Sequence, residues 1–463
     1  MCGDVQVTKR SRTLQNSNTH RRRIMPSTSG SQSTNMLRVA VIGAGAAGLC
    51  AARHLASNPR MFEPRVFEKA KEIGGTWVYT EETGTDKYGE IIHSSMYWDL
   101  KTNLPKEVMA FPDFPFDKSL PSFIKHQDVL KYLNDYSEKY DLTKFINFNT
   151  AVDYVKPVHQ DGQEKVLWDV GFRDVRKQSK ELTIEQYDAV LVCNGHYAIP
   201  KIPDLLGIDD FQGQIMHSHN YRHPQVFKDK SVVLLGAGSS GKDIAVNICE
   251  FAKKVMLSHN KAQMICQLPS NMTEKSGIDH LTEKEVVFTD GTSEPTDVLL
   301  LCTGYNYNFP FLTPECNVKL EDHRISPLYK HLIHTQYPSL AFIGICSTIC
   351  PFPQFDCQVK FTVAVLNGSL KLPSQEEMEE DARKDYEWRR NTLGYPNRYA
   401  HRMGTLQWAY NDDLSEIAKF QAIPRSVSQL YDAVHEVRRT DLMHYKKMNY
   451  ILTGKDSWEA ANP

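Results

Sequence analysis

The chain has 463 residues, 41% of them hydrophobic and 24% charged, with a formal net charge of −2. That length allows two or three domains with ample core, and the near-neutral charge gives no electrostatic case for a nucleic-acid partner. Its ten cysteines include no C-x-x-C pair, so they read as reduced thiols in a cytosolic protein, with no disulfide framework and no metal site.

No run approaches the ~18 apolar residues of a membrane-spanning helix. Residues 1–36 are rich in Ser, Thr and Asn, with basic clusters at Lys9-Arg10 and Arg21-Arg22-Arg23. They lack the apolar core of a secretory signal and read as a disordered tail, although an Arg-rich, acid-poor start leaves an organelle presequence open.

Regular structure is predicted to begin at Arg38–Ile42, a short apolar run typical of a buried parallel strand. Gly43-Ala44-Gly45-Ala46-Ala47-Gly48 follows and opens into the helical pattern Leu49–Leu55. In such a loop Gly43 makes the tight turn, Gly45 lets backbone approach a pyrophosphate, and Gly48 lets the helix pack closely. A second strand, Arg65-Val66-Phe67, ends in Glu68, where a carboxylate takes ribose hydroxyls. Strand, glycine turn, helix and acid together make a dinucleotide fingerprint.

Gly74-Gly75-Thr76-Trp77 comes next. It fits either a turn with a packed aromatic or a wrap around a flat ring system. Asn103, in Thr102-Asn103-Leu104-Pro105-Lys106-Glu107, reads from composition as a turn former. Gln127–Tyr140 has helical spacing, and residues 145–185 read as short alternating strands. Tyr187–Cys193 is another buried strand, ending in Asn194-Gly195-His196, a turn residue or a modest ligand candidate.

Asp210–Ala245 organises the chain. It holds Phe211, Gly213, His217 and Tyr221, and then Gly236-Ala237-Gly238-Ser239-Ser240-Gly241 between an apolar strand and a helix. This is a second fingerprint. Two nucleotides on one chain suggest redox chemistry, one supplying hydride and the other receiving it. The strand after this loop ends in Ser258-His259-Asn260, with no acid where Glu68 stands in the first copy. An acid would repel a 2′-phosphate, so Ser258 and its neighbours favour NADPH over NADH. Asp297–Tyr305 and Leu340–Gly344 read as later buried strands, the second returning the chain to the first sheet. From Gln375 onward the pattern is helical and charged, with no visible chemistry.

Taken together, these runs resemble the flavin-containing monooxygenases over most of residues 38–370. The resemblance rests on the two fingerprints, Gly74–Trp77, Thr102–Met109, Phe111–Phe116, the spaced Phe211–Tyr221 string and Cys302–Tyr305. It implies an α/β fold of two doubly wound, Rossmann-like nucleotide-binding domains. An NADPH domain (206–308) is inserted into an FAD domain (37–205 and 309–463, the latter ending in a helical region). It implies FAD at the Gly43, Gly45, Gly48 and Glu68 loop with Gly75, Thr76 and Trp77, and NADPH at Gly236, Gly238, Ser239, Ser240 and Gly241. It implies that Asn103 lies by the reactive edge of the flavin and serves catalysis. His217 is read as structural or coupling.

The implied reaction is O2-dependent oxygenation of an amine or sulfide, of the N,N-dimethylaniline-monooxygenase type, through a C4a-hydroperoxyflavin. The enzyme would be cytoplasmic, and a homo-oligomer is compatible with this reading. Two alternatives remain. Related Baeyer–Villiger enzymes end the spaced motif in Trp followed by Pro or Asp, where this chain has Tyr221-Arg222. A pyridine-nucleotide disulfide reductase needs a redox cysteine pair, and none is seen.

Overall fold

The computed structural model describes residues 36–160, 162, 165–177 and 181–461. The expected tail therefore lies outside the described residues, apart from Met36.

Two sheets with parallel cores of the same design dominate the fold, the first carrying an antiparallel edge formed by Ile333–His334 and Leu328–Tyr329. In the first, a central strand Leu37–Ile42 pairs in parallel with Phe62–Phe67 on one side and Ala189–Val192 on the other. Ile146–Asn147 extends one edge, and Leu340–Phe342, Ile333–His334 and Leu328–Tyr329 extend the other to complete seven strands. In the second, Ser231–Leu235 is central, between Lys254–Ser258 and Val298–Leu301. Met272–Lys275 and Gln214–His217 are the edges of this five-stranded, all-parallel sheet. Both central strands are apolar and buried on both faces, as a strand covered on each side by other layers must be.

Each sheet also routes its crossover through a three-stranded antiparallel meander, 150–187 in the first and 278–295 in the second. The second sheet comprises strands between 214 and 301, while the first uses strands before 192 and after 328. The second unit is thus an insertion in the first, in agreement with the α/β, doubly wound expectation. The chain leaves and re-enters through Ile199–Pro200 and Tyr305–Asn306, which pair with each other as an antiparallel ribbon.

Several predicted elements shift by a few residues. The first nucleotide helix runs Ala46–Ala56, starting three residues earlier than its apolar spacing suggests because Gly45 is its N-cap. His126–Lys139 is helical, with Val129, Leu133 and Tyr136 buried against the first sheet's core. Pro351–Leu366 packs on the first nucleotide helix, and Arg425–Thr440 forms a C-terminal helix.

Candidate active site

The two glycine loops are built alike. The amide of Gly43 donates to Phe67 O at 2.8 Å, and that of Gly236 to Ser258 O at 2.9 Å. Both glycines have positive φ, +106° and +113°. A Cβ on either would stand 2.6 Å from a carbonyl oxygen of the neighbouring strand's end, that of Cys193 or Cys302. Gly48 and Gly241 answer a different constraint. A Cβ on each would lie 1.8 Å from the carbonyl oxygen of Gly43 or Gly236 respectively. The third glycine therefore makes room for the first glycine's own carbonyl, so that the helix can start against the turn. Gly45 and Gly238 have space instead. The nearest protein atom to a Cβ on Gly45 is Gly75 Cα at 3.7 Å, and a Cβ on Gly238 meets nothing within 4 Å.

Around the first loop the residues form a cradle. The Gly74 amide donates to Ala44 O at 3.0 Å, fixing the one-turn segment Gly75–Trp77 over the loop. Gly75 and Gly45 face each other through bare backbone. The Thr76 hydroxyl oxygen is buried and lacks a hydrogen-bond partner among the described residues, an orphan that a bound ligand would satisfy. Trp77 leans edge-on to Phe352, and Phe352 stacks on Phe111. Glu68 is buried, and its carboxylate accepts from the amides of Ala44 and Ala70, both at 2.8 Å. Burial raises its pKa, opposed by those two amides. Each oxygen keeps a lone pair, so the loop-shaping role leaves room for ribose hydroxyls.

The second loop inverts the charge. Where Ala44 donates its amide to an acid, Ala237 accepts at its carbonyl from the Lys261 ammonium, at 3.0 Å. Lys242, on the second nucleotide helix (Ser239–Ile248), stands near it. Partial desolvation, then Arg438 and Lys261, hold Lys242 below its ordinary pKa. Lys261 is lowered by desolvation, Arg402 and Arg438. Among the described residues none of these four cations is ion-paired. Ser258 does not serve as the sequence suggests: it is fully buried and its hydroxyl donates to Ser276 O at 2.6 Å. Its position at the end of a central-sheet strand points it into the domain, and Lys261, three residues on, faces the loop. Ser239 and Ser240 open the helix beside Gly238.

Asn103 lies on a segment tied to both units. Thr102 exchanges bonds with Ile124, its amide donating to Ile124 O and its hydroxyl accepting from Ile124 N. Lys106–Met109 forms one helical turn, whose Val108 carbonyl accepts from the Cys350 thiol at 2.8 Å. Among the described residues the Asn103 amide has no hydrogen-bond partner. On the other side, Tyr97 donates to Asp243 of the second nucleotide helix, and Lys446 bridges Asp243 to Lys101 O.

The spaced motif explains itself in space. Gly213 leaves room for the Phe211 ring, which a Cβ would approach to 2.4 Å. His217 accepts at Nδ1 from His219 N and donates from Nε2 to Gly304 O, both at 3.0 Å, pinning the linker ribbon. Burial pushes its pKa down to about 4, so it is neutral. Tyr221 is fully buried, stacks on Phe227 and donates to Asn247, which in turn donates to Asp99. Arg222 is buried and gives its guanidinium to backbone carbonyls of Thr80, Glu82, His219 and Tyr221. His196, at the other strand end, packs between Tyr197 and Tyr307 and is likewise held neutral by burial, its pKa pushed down to about 4.

The C-terminal region, read from the sequence as helical and charged, packs against both glycine-loop units. Val427, Leu430, Tyr431 and Val434 of the C-terminal helix share one cluster with Val108, Leu104 and Val246. This joins the Asn103 segment to the second nucleotide helix. From the same helix, Arg438 reaches Ser239 at 3.4 Å. Its neighbour Arg439 merely pairs with Glu436 on the surface. Nothing in the local pattern separates these two arginines.

The nine described cysteines are free. Burial raises the thiols of Cys50, Cys193 and Cys302, the last to about 12, so none offers a thiolate beside the loops. Cys50, His54 and Asp356 do cluster, but His54 and Lys360 already occupy the Asp356 carboxylate. No helix among the described residues is long and apolar enough to cross a membrane.

A flavin-binding monooxygenase-like family model matches residues 36–268 and 263–462. A flavin-containing monooxygenase of Arabidopsis thaliana, FMO GS-OX-like 4, is 40% identical over 443 residues, 91% of this chain and 94% of that protein. Among solved structures, an S-allyl-L-cysteine S-oxygenase from Allium sativum superposes with a TM-score of 0.81 at 36% identity. It covers 92% of this chain and 96% of that one. Tmm from Pelagibacter sp. strain HTCC7211 gives 0.80 at 29% identity, with the same two shares. A closed cyclohexanone monooxygenase shares the fold at 14% identity and a TM-score of 0.58 over 83% of this chain and 97% of that one.

Proposed function

Because this chain belongs to the flavin-binding monooxygenase-like family, we propose that it is an NADPH- and O2-dependent enzyme that oxygenates soft nucleophilic sulfur or nitrogen, thioethers foremost. The family's cofactors are FAD and NADPH. The cradle of Gly43, Gly45, Gly48, Glu68, Gly75, Thr76 and Trp77 suits FAD. The open loop of Gly236, Gly238, Ser239, Ser240 and Gly241, with its unpaired cations, suits NADPH. We assign 206–308 to the NADPH domain and 37–205 with 309–463 to the FAD domain, in an enzyme of the cytosol. Bound FAD, reduced by NADPH, supplies the activation of O2.

The protein's part is to bind, orient and exclude water. The observation that carries this reading is the Asn103 amide, free of protein partners on a segment fastened to both nucleotide units. It offers a donor that does not titrate, and the adjoining Leu104 packs, as Trp77 does, on the core cluster that holds Phe111 and Phe352. Lys261 takes the 2′-phosphate in place of Ser258. Support for sulfur comes from the likeness to an S-oxygenase at 36% identity.

The test is turnover of a panel of thioethers and tertiary amines with NADPH in air, following oxygenated product by mass spectrometry. Sulfoxide formed in step with NADPH consumed is expected. NADPH consumption that yields only H2O2 with every substrate would overturn the reading.

A further inference from the structure

We propose that Arg438 of the C-terminal helix binds the pyrophosphate of NADPH at the second glycine loop. The inference rests on the assignment of that loop to NADPH.

A fingerprint loop of this kind presents backbone amides and a helix N-terminus to the pyrophosphate. In the first copy the charged group that meets the loop backbone is an acid, Glu68, which accepts from the Ala44 amide. In the second copy Arg438 comes from 199 residues away to touch the hydroxyl of Ser239, the first residue of the helix. Its Nε is buried and has no hydrogen-bond partner among the described residues. Its guanidinium lies over the Tyr445 ring, 5.6 Å from the centroid, which fixes its orientation without neutralising it. A guanidinium so placed, unpaired, beside an open Gly238 is a fork for two phosphate oxygens.

Lys261 is placed otherwise. It bonds Ala237 O, toward the end of the strand where the ribose lies in this fold. The two cations therefore divide the work. Arg438 reads a group common to NADPH and NADH, and Lys261 reads the group that distinguishes them. The structural reason for the arrangement is the packing of Val427, Leu430, Tyr431 and Val434, which seats the helix across both units.

The experiment is calorimetric titration of the full-length, FAD-loaded protein with NADP+ and with NAD+, with no substrate present. Arg438→Gln is expected to weaken both nucleotides by the same factor, roughly 10- to 100-fold. Flavin content and thermal midpoint should not change, and Arg438→Lys should recover part of the affinity. Lys261→Gln should weaken NADP+ alone. Unchanged affinities in Arg438→Gln, or a loss confined to NADP+, would overturn the assignment of Arg438 to the pyrophosphate while leaving the loop's assignment intact. If the unsubstituted protein binds neither nucleotide, the assignment of the loop falls too.

Discussion

Gly48 stands so close to Gly43 that a Cβ on it would lie 1.8 Å from the Gly43 carbonyl oxygen, whereas a Cβ on Gly45 would meet nothing nearer than 3.7 Å. The two substitutions should therefore fail differently. Gly45→Ala leaves the protein's own packing intact and fills space on the ligand side of the loop. It should fold with a normal thermal midpoint and hold less FAD, read as the ratio of flavin to protein absorbance. Gly48→Ala must move backbone and should lower the midpoint by several degrees, as a loss of a few kcal/mol does. A folded Gly45→Ala protein with full flavin would place the pyrophosphate elsewhere.

Preference for NADPH over NADH is expected from Lys261 at the second loop, where the first has Glu68. Neutralising it in Lys261→Gln should cut kcat/KM for NADPH about tenfold, the worth of one charged hydrogen bond, and barely change that for NADH. The comparison needs both coenzymes at one ionic strength, because added salt screens the same interaction. Equal use of the two coenzymes by the unsubstituted enzyme would contradict it.

Asn103 should matter to oxygen transfer more than to flavin reduction. Asn103→Ala is expected to retain FAD and to be reduced by NADPH at a near-normal rate in anaerobic stopped flow. Product formed per NADPH should fall as H2O2 release rises, since losing one fixed donor costs about 3 kcal/mol at the step it serves. Asn103→Asp should be impaired in the same step, because a carboxylate cannot donate. Wild-type coupling in Asn103→Ala would reduce the residue to a turn former.

Acid should destabilise the fold earlier than carboxylate titration alone would. Burial pushes His93, His196, His217 and His334 down to about 4, and unfolded imidazoles titrate near ~6.5. As pH falls, the unfolded chain takes up these protons first. The stability they contribute is complete above ~6.5 and is lost progressively toward about 4. The thermal midpoint should thus drop measurably between about pH 7 and about pH 5. A flat profile over that interval would mean that these imidazoles titrate as if hydrated.

What can be read from the sequence is what has a local cause. Gly48 and Gly241 answer the carbonyl of their own loop's first glycine, so spacing reveals them, whereas the carbonyls that crowd Gly43 and Gly236 come from the distant strand ends at Cys193 and Cys302. Glu68 is legible because it closes a strand. Asn103 is legible only through family resemblance, since its freedom from protein partners depends on how Thr102 meets Ile124. Ser258 is misread because a hydroxyl at a strand end looks available until the Ser276 carbonyl claims it. Arg438 and Lys446 are invisible because their partners, Ser239 and Asp243, lie about 200 residues away. Helical periodicity predicts that a face is buried, not which distant loop its edge will touch.

The cluster that seats the C-terminal helix across both units also bears on how the protein is made. Both glycine loops leave the ribosome long before Arg438 and Lys446 do. The last strand of the first sheet, Leu340–Phe342, precedes them as well. The contacts of Val427, Leu430, Tyr431 and Val434 with Val108 and Val246 therefore form only when synthesis is nearly complete, and Leu442, Tyr445 and Tyr450, which share that cluster, come later still.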